Sequence, residues 1–125
     1  MKKLQLILLF LPFIGFTQPQ VMVNLFFSEY AEGSSNNKYL EIYNPTTDTL
    51  NLSDYAFPNV NGAPTTVGVY EYWNSFDAGA VILPNDVYII AHPSADPSIL
   101  AQADEFHTYL SNGDDGYALV YGTEP

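Results

Sequence analysis

Cysteine is absent from this sequence and basic side chains nearly so: Lys2, Lys3 and Lys38 stand against 14 acids and two histidines in 125 residues. Without cysteine there is no disulfide to brace an exported domain and no thiolate to ligate zinc or attack a substrate, so packing alone must hold the fold. Beyond residue 3 the one cation is Lys38, which leaves no basic stripe to release counterions from a phosphate backbone. Direct nucleic-acid binding is therefore not expected. Also missing are a Gly-x-Ser-x-Gly elbow, a phosphate-binding loop and a dinucleotide fingerprint. His92 and His107 sit in no zinc-type spacing, and each reads as a structural or exposed imidazole.

What is present begins with an export signal. Residues 1–18 read as a cleavable signal peptide: Lys2 and Lys3 form a charged start, and Leu4 to Phe16 an apolar run broken only by Gln5, Pro12 and Gly15. A cleavage zone follows at Gly15 to Gln18. The run falls short of the roughly 20 residues a spanning helix needs. The expectation is a secreted or cell-surface protein of bacterial type with no membrane span after cleavage, its remaining Lys38 facing all fourteen acids. Residues 22–125 then form one domain, with the acidic surface serving solubility.

The domain reads as all-β. Strand-like runs cover residues 24–30, 39–43, 49–52, 55–57, 67–73, 80–83, 87–92 and 117–121. They are separated by turn-forming stretches at 33–37, 44–45, 59–64, 84–86 and 112–116. In the second run Leu40 and Ile42 point one way and Glu41 the other, toward solvent or a partner. Leu50 and Leu52 point inward around Asn51, and the unbroken apolar stretch from Val87 to Ala91 suits a strand covered on both faces. One helical signal spans Asp96–Asp104, with Asp96 as cap and Pro97 in the first turn.

Two groups of residues invite a functional reading. Asp114 and Asp115, joined by Glu29 or Glu32 from another loop, are calcium candidates. The structural reading is a turn in which Gly113 or Gly116 takes positive φ and the carboxylates accept backbone N–H bonds. The run Val69-Tyr-Glu-Tyr-Trp73 puts Tyr70 and Tyr72 on one face of a strand and Trp73 with Val69 on the other. Core packing is its first reading, and a sugar-stacking platform or an interface anchor its second. No cofactor is expected.

Three segments in order carry a resemblance: Ser28-Glu29-Tyr30 closing a strand, Tyr39-Leu-Glu-Ile-Tyr-Asn-Pro45, and Leu50-Asn-Leu-Ser-Asp-Tyr-Ala-Phe57. Together they resemble the opening of a lamin-tail domain. The resemblance implies an immunoglobulin-like β-sandwich of lamin-tail type with one short helix, and no catalytic duty for Glu41. It also implies one more aliphatic strand after Tyr117–Tyr121, so the domain reads as C-terminally incomplete and the chain as the N-terminal part of a larger exported protein. The functional expectation is a noncatalytic binding or anchoring module for a protein or glycan ligand of unknown identity. Two alternatives stay open: an accessory leader of a secreted nuclease or phosphodiesterase, and a calcium-dependent adhesive module. Fold does not fix function here.

Overall fold

The computed structural model describes residues 25–62, 66–110, 113 and 115–125. The expected signal peptide, Asp114, and the turn residues Pro64 and Asn112 lie outside the described residues. In chain order the elements are β1 (Phe26–Glu32), β2 (Lys38–Tyr43), β3 (Leu50–Asn51), a 3-10 turn (Leu52–Asp54), β4 (Tyr55–Ala56), β5 (Asn59–Val60), β6 (Val81–Ile82), β7 (Val87–Ala91), α1 (Pro97–Leu100), β8 (Glu105–Phe106), β9 (Gly116–Tyr117) and β10 (Val120–Tyr121).

Period-two alternation builds the first layer, a sheet in the order β1-β2-β7-β8. Antiparallel register sets Leu40 opposite Ile90 and Ile42 opposite Tyr88, so four large side chains project from one face and all are buried. β1 carries a bulge between Phe27 and Glu29. The extra residue, Ser28, donates its hydroxyl to the Glu41 carboxylate at 2.7 Å. Glu41 is thus half-buried and tied to the neighbouring strand, less open to solvent than its alternation implied. β8 joins β7 in parallel after α1, and Asp104 prepares that pairing by accepting the Ile89 N–H on its carboxylate and donating its own N–H to Ile89 O.

The second layer centres on residues 54–60. Pro58 has no N–H to give, and the ladder to residues 116–122 divides there into β4–β10 and β5–β9, bridged by Ala118 N–H to Pro58 O. On its other side the same stretch meets residues 71–75 through isolated bridges, Ala56 with Ser75 and Asn59 with Tyr72. β3 pairs β6 alongside. Leu52, Tyr55, Phe57, Phe76, Ile82 and Leu110 close the core against the first sheet. Phe57 meets Phe76 at 5.0 Å and Phe76 meets Tyr88 edge-on at 5.7 Å, the tilted geometries that aromatic quadrupoles favour.

Asn44, fully buried, locks the corner between the layers. Its Nδ2 donates to the carbonyls of Asp48, Ile82 and Leu83, and its Oδ1 accepts from the N–H and hydroxyl of Thr46. The Asn44-Pro45 pair, readable only as a turn, is a hydrogen-bond hub.

Three expectations need correction. Residues 67–73 form no continuous strand: Gly68 turns the chain at φ 83°, Val69 N–H bonds back to Thr66 O, and Val67 is 93% exposed. The helix stops at Leu100 because the following turn returns Asp104 to the sheet. Asp96 does not cap it by its side chain; its carboxylate accepts from the Asn37 amide at 2.7 Å while Asn37 accepts its N–H. β5 and β8, two residues each, carried no readable pattern.

Ile42→Ala is expected to lower stability by about 2–4 kcal/mol. Asn44→Asp, which keeps the shape but aims a carboxylate oxygen at three carbonyls, is expected to cost at least as much as Asn44→Ala, about 1–3 kcal/mol. Glu41→Gln should cost less than about 1 kcal/mol. Urea unfolding ranks the four; Glu41→Gln as the most damaging would contradict the packing described.

Candidate functional site

The interrupted second layer leaves a cleft of about 530 Å³ where residues 59–61, 71–74 and 107–109 converge beside Glu124. Its volume lies within the range of small-ligand sites. Amides form one wall. Asn59, buried, donates its Nδ2 to Asn61 Oδ1 at 2.8 Å and accepts from Asn74 Nδ2 at 2.9 Å; Asn74 also donates to Phe57 O. Glu71 accepts the Asn61 N–H at 3.0 Å, which fixes that carboxylate at the rim. The backbone follows the same logic: Asn59 N–H reaches Tyr72 O, and Asn59 O takes the N–H groups of Glu71 and Tyr72.

Aromatic rings form the other surfaces. Tyr72 is 53% exposed and Tyr109 72%, while Trp73, half-buried, meets Tyr70 edge-on at 6.0 Å. Tyr109 is held through its backbone, since the Tyr117 hydroxyl donates to Tyr109 O at 3.2 Å. Between wall and core lies His107. It bonds by its N–H to Ala91 O, and its ring packs edge-on against Phe57 at 5.3 Å and Tyr109 at 5.8 Å. Its Nε2 is buried and has no hydrogen-bond partner among the described residues. Burial holds this imidazole below its usual pKa of 6.5, with His92 adding to the effect. The described lining offers amide hydrogen bonds, two carboxylates and ring faces, and holds no serine, threonine or cysteine.

Of the sequence candidates, Tyr72 and Trp73 line the cleft, and Tyr70 lines the adjoining grooves. The first reading as core fails for Tyr70 and Tyr72, which are exposed, while Trp73 is half-buried. Sequence reasoning missed the three asparagines, Glu71, Tyr109 and Glu124, and set His107 aside. The cluster Asn59 to Asn61 read only as turn chemistry, and nothing in the order of residues signalled that Asn74 and His107 meet it.

The calcium candidates are placed differently. Glu32 accepts the Gly113 N–H on both carboxylate oxygens and the Tyr30 hydroxyl, Asp115 accepts the Gly62 N–H at 3.0 Å, and Glu29 bonds the Tyr39 hydroxyl. Asp115 thus fastens a neighbouring loop, and Gly113 takes a φ of 92°, the positive value expected for that turn. Among the described residues no group of three or more His, Cys, Asp or Glu gathers in metal-holding proximity. His92 Nδ1 accepts the Ser94 N–H in a tight turn at the end of β7, and His92 is not among the residues lining the cleft.

Among known families, the model described as Lamin Tail Domain matches residues 18–124. No curated protein and no solved structure matches the chain.

The lowered pKa of His107 sets a pH dependence. A depressed folded value means that its contribution to stability is whole above pH 6.5 and is lost as pH falls through the folded pKa. Glu105 runs the opposite way: burial raises its carboxyl above 4.5, although the Asp77 N–H and Tyr88 hydroxyl oppose the shift, so its protonation at low pH relieves a cost. The melting temperature should therefore fall on acidification below pH 6.5, and His107→Gln should flatten that fall. An identical slope in wild type and variant would contradict the burial of the ring.

Proposed function

We propose, since the chain belongs to the lamin tail domain family, that it is a noncatalytic binding or anchoring module exported to the cell exterior. The observation that carries this reading is the cleft beside Tyr72, Trp73 and Tyr109: aromatic rings, two of them exposed, next to positioned amides and carboxylates. Such surfaces hold ligands by shape and hydrogen bonding. The immunoglobulin-like sandwich supports it, because a packed two-sheet core keeps the presenting segments rigid without requiring chemistry of its own.

Export rests on the charged and apolar start of residues 1–18. No helix among the described residues is long and apolar enough to cross a membrane. The acidic surface directs it away from phosphate polymers. Lys38, the one cation past residue 3, is 3% exposed and donates its ammonium group to Ser35 O under the β1–β2 loop, so it offers nothing to a polyanion.

A fluorescent fusion of the full chain should be retained on bacterial cells and isolated envelope polymers. Tyr72→Ala/Tyr109→Ala, both rings exposed, should wash away while melting within about 3 °C of wild type. Equal washing of both proteins would overturn the binding reading.

A further inference from the structure

We infer that the cleft takes an uncharged oligosaccharide of β-linked pyranoses, stacked on Tyr72 and Tyr109 and hydrogen-bonded by the amide wall. This deepens the binding reading above and rests on it. Charge narrows the ligand first. Glu71 and Glu124 line the cleft and no Lys or Arg does among the described residues, so a uronate, phosphate or sulfate would meet repulsion from both carboxylates.

Hydrogen-bond inventory narrows it further. With Asn61 Oδ1 taken by Asn59, the group Asn61 has left is its NH2, a donor; with both Nδ2 protons of Asn74 directed at Phe57 O and Asn59 Oδ1, what Asn74 has left is Oδ1, an acceptor. Glu71 keeps Oε1 as a second acceptor, since Oε2 holds the Asn61 N–H. An ammonium ligand supplies donors alone and would strand the Asn61 NH2. A hydroxyl both donates and accepts, and a pyranose carries several in fixed directions, matching a wall on which both kinds alternate.

Ring faces complete the match. The axial C–H groups of a β-linked pyranose present a flat apolar face, and Tyr72 and Tyr109 are exposed aromatic surfaces beside the polar wall. The neighbouring groove along Val69, Tyr70 and Trp73 continues the surface past Glu124, giving room for more than one sugar unit.

Trp73 is the single tryptophan, so the protein carries its own reporter at the site. Trp73 emission of the full chain is titrated with cellohexaose, xylohexaose and mannohexaose, with a galacturonate hexamer, and with choline and tetralysine. At least one neutral hexaose should saturate with a Kd of about 10 μM to 1 mM, and the acidic and cationic probes should not. Tyr109→Ala should weaken that binding about tenfold, Tyr109→Phe should keep it, and Leu83→Ala, exposed on a different part of the surface, should leave it unchanged. Saturation by choline or tetralysine alone would overturn the proposal in favour of an aromatic cation cage. No response to any neutral sugar would also overturn it; if envelope retention persisted in that case, the binding module would stand and only its ligand class would fall.

Discussion

A sheet made of two-residue strands cannot satisfy its own backbone, and this constraint shapes the whole second layer. β3, β4, β5, β6, β9 and β10 each contribute two residues, and the ladder is cut again at Pro58. Each buried N–H or C=O left unpaired would cost about 1–3 kcal/mol, which a domain with net stability of roughly 5–15 kcal/mol cannot bear repeatedly. Side-chain amides, buried at Asn44 and Asn59 and half-buried at Asn74, take the place of the missing ladder. Asn44 serves the carbonyls at the end of β6 and the turn after β2, while Asn59 and Asn74 stitch the central stretch to residues 71–75. The cleft is the other face of the same solution. Where amides replace a continuous strand, polar groups and turned-out rings remain at the surface.

Charge adds a second organising fact. Lys38 spends its ammonium group on a loop carbonyl at 3% exposure, so the sign of the described surface is negative throughout. The carboxylates divide between fastening loops, as Glu32 does at Gly113 and Asp115 at Gly62, and lining the cleft, as Glu71 and Glu124 do. Glu105 alone is buried in the core region, where the Tyr88 hydroxyl and Asp77 N–H hold it. Mutual repulsion on such a surface is eased by salt.

Much of the fold was legible because period-two burial is a local signal. Leu40 and Ile42 against Tyr88 and Ile90 follow from alternation alone, and the all-β class and the family follow from the motifs at 28–30, 39–45 and 50–57. What failed to show was whatever depends on distant partners. Residues 67–73 have strand composition but no strand to pair with along their length, and a single positive-φ glycine decides their path. Asp96 has the chemistry of a cap, yet Asn37, 59 positions away, outcompetes the helix for it. The cleft was half visible: Tyr72 and Trp73 stood out as aromatic, but the asparagines that give the site its polar wall have turn-like neighbours and acquire their role only when residues 59, 74 and 107 meet.

Side-chain amide hydrogen exchange probes the central claim directly, because an Nδ2 group that substitutes for a strand is protected as a strand is. In a uniformly labelled sample the Nδ2 protons of the buried Asn44 and Asn59 should exchange only through global unfolding, with the same denaturant dependence as the core backbone amides of Ile42 and Ile90. The Nδ2 protons of exposed Asn36 and Asn85 should exchange freely, as solvent contact allows. If those of Asn44 and Asn59 exchanged as fast as those of Asn36 while the core amides stayed protected, buried amides would not be holding the second layer, and the origin assigned to the cleft would be wrong.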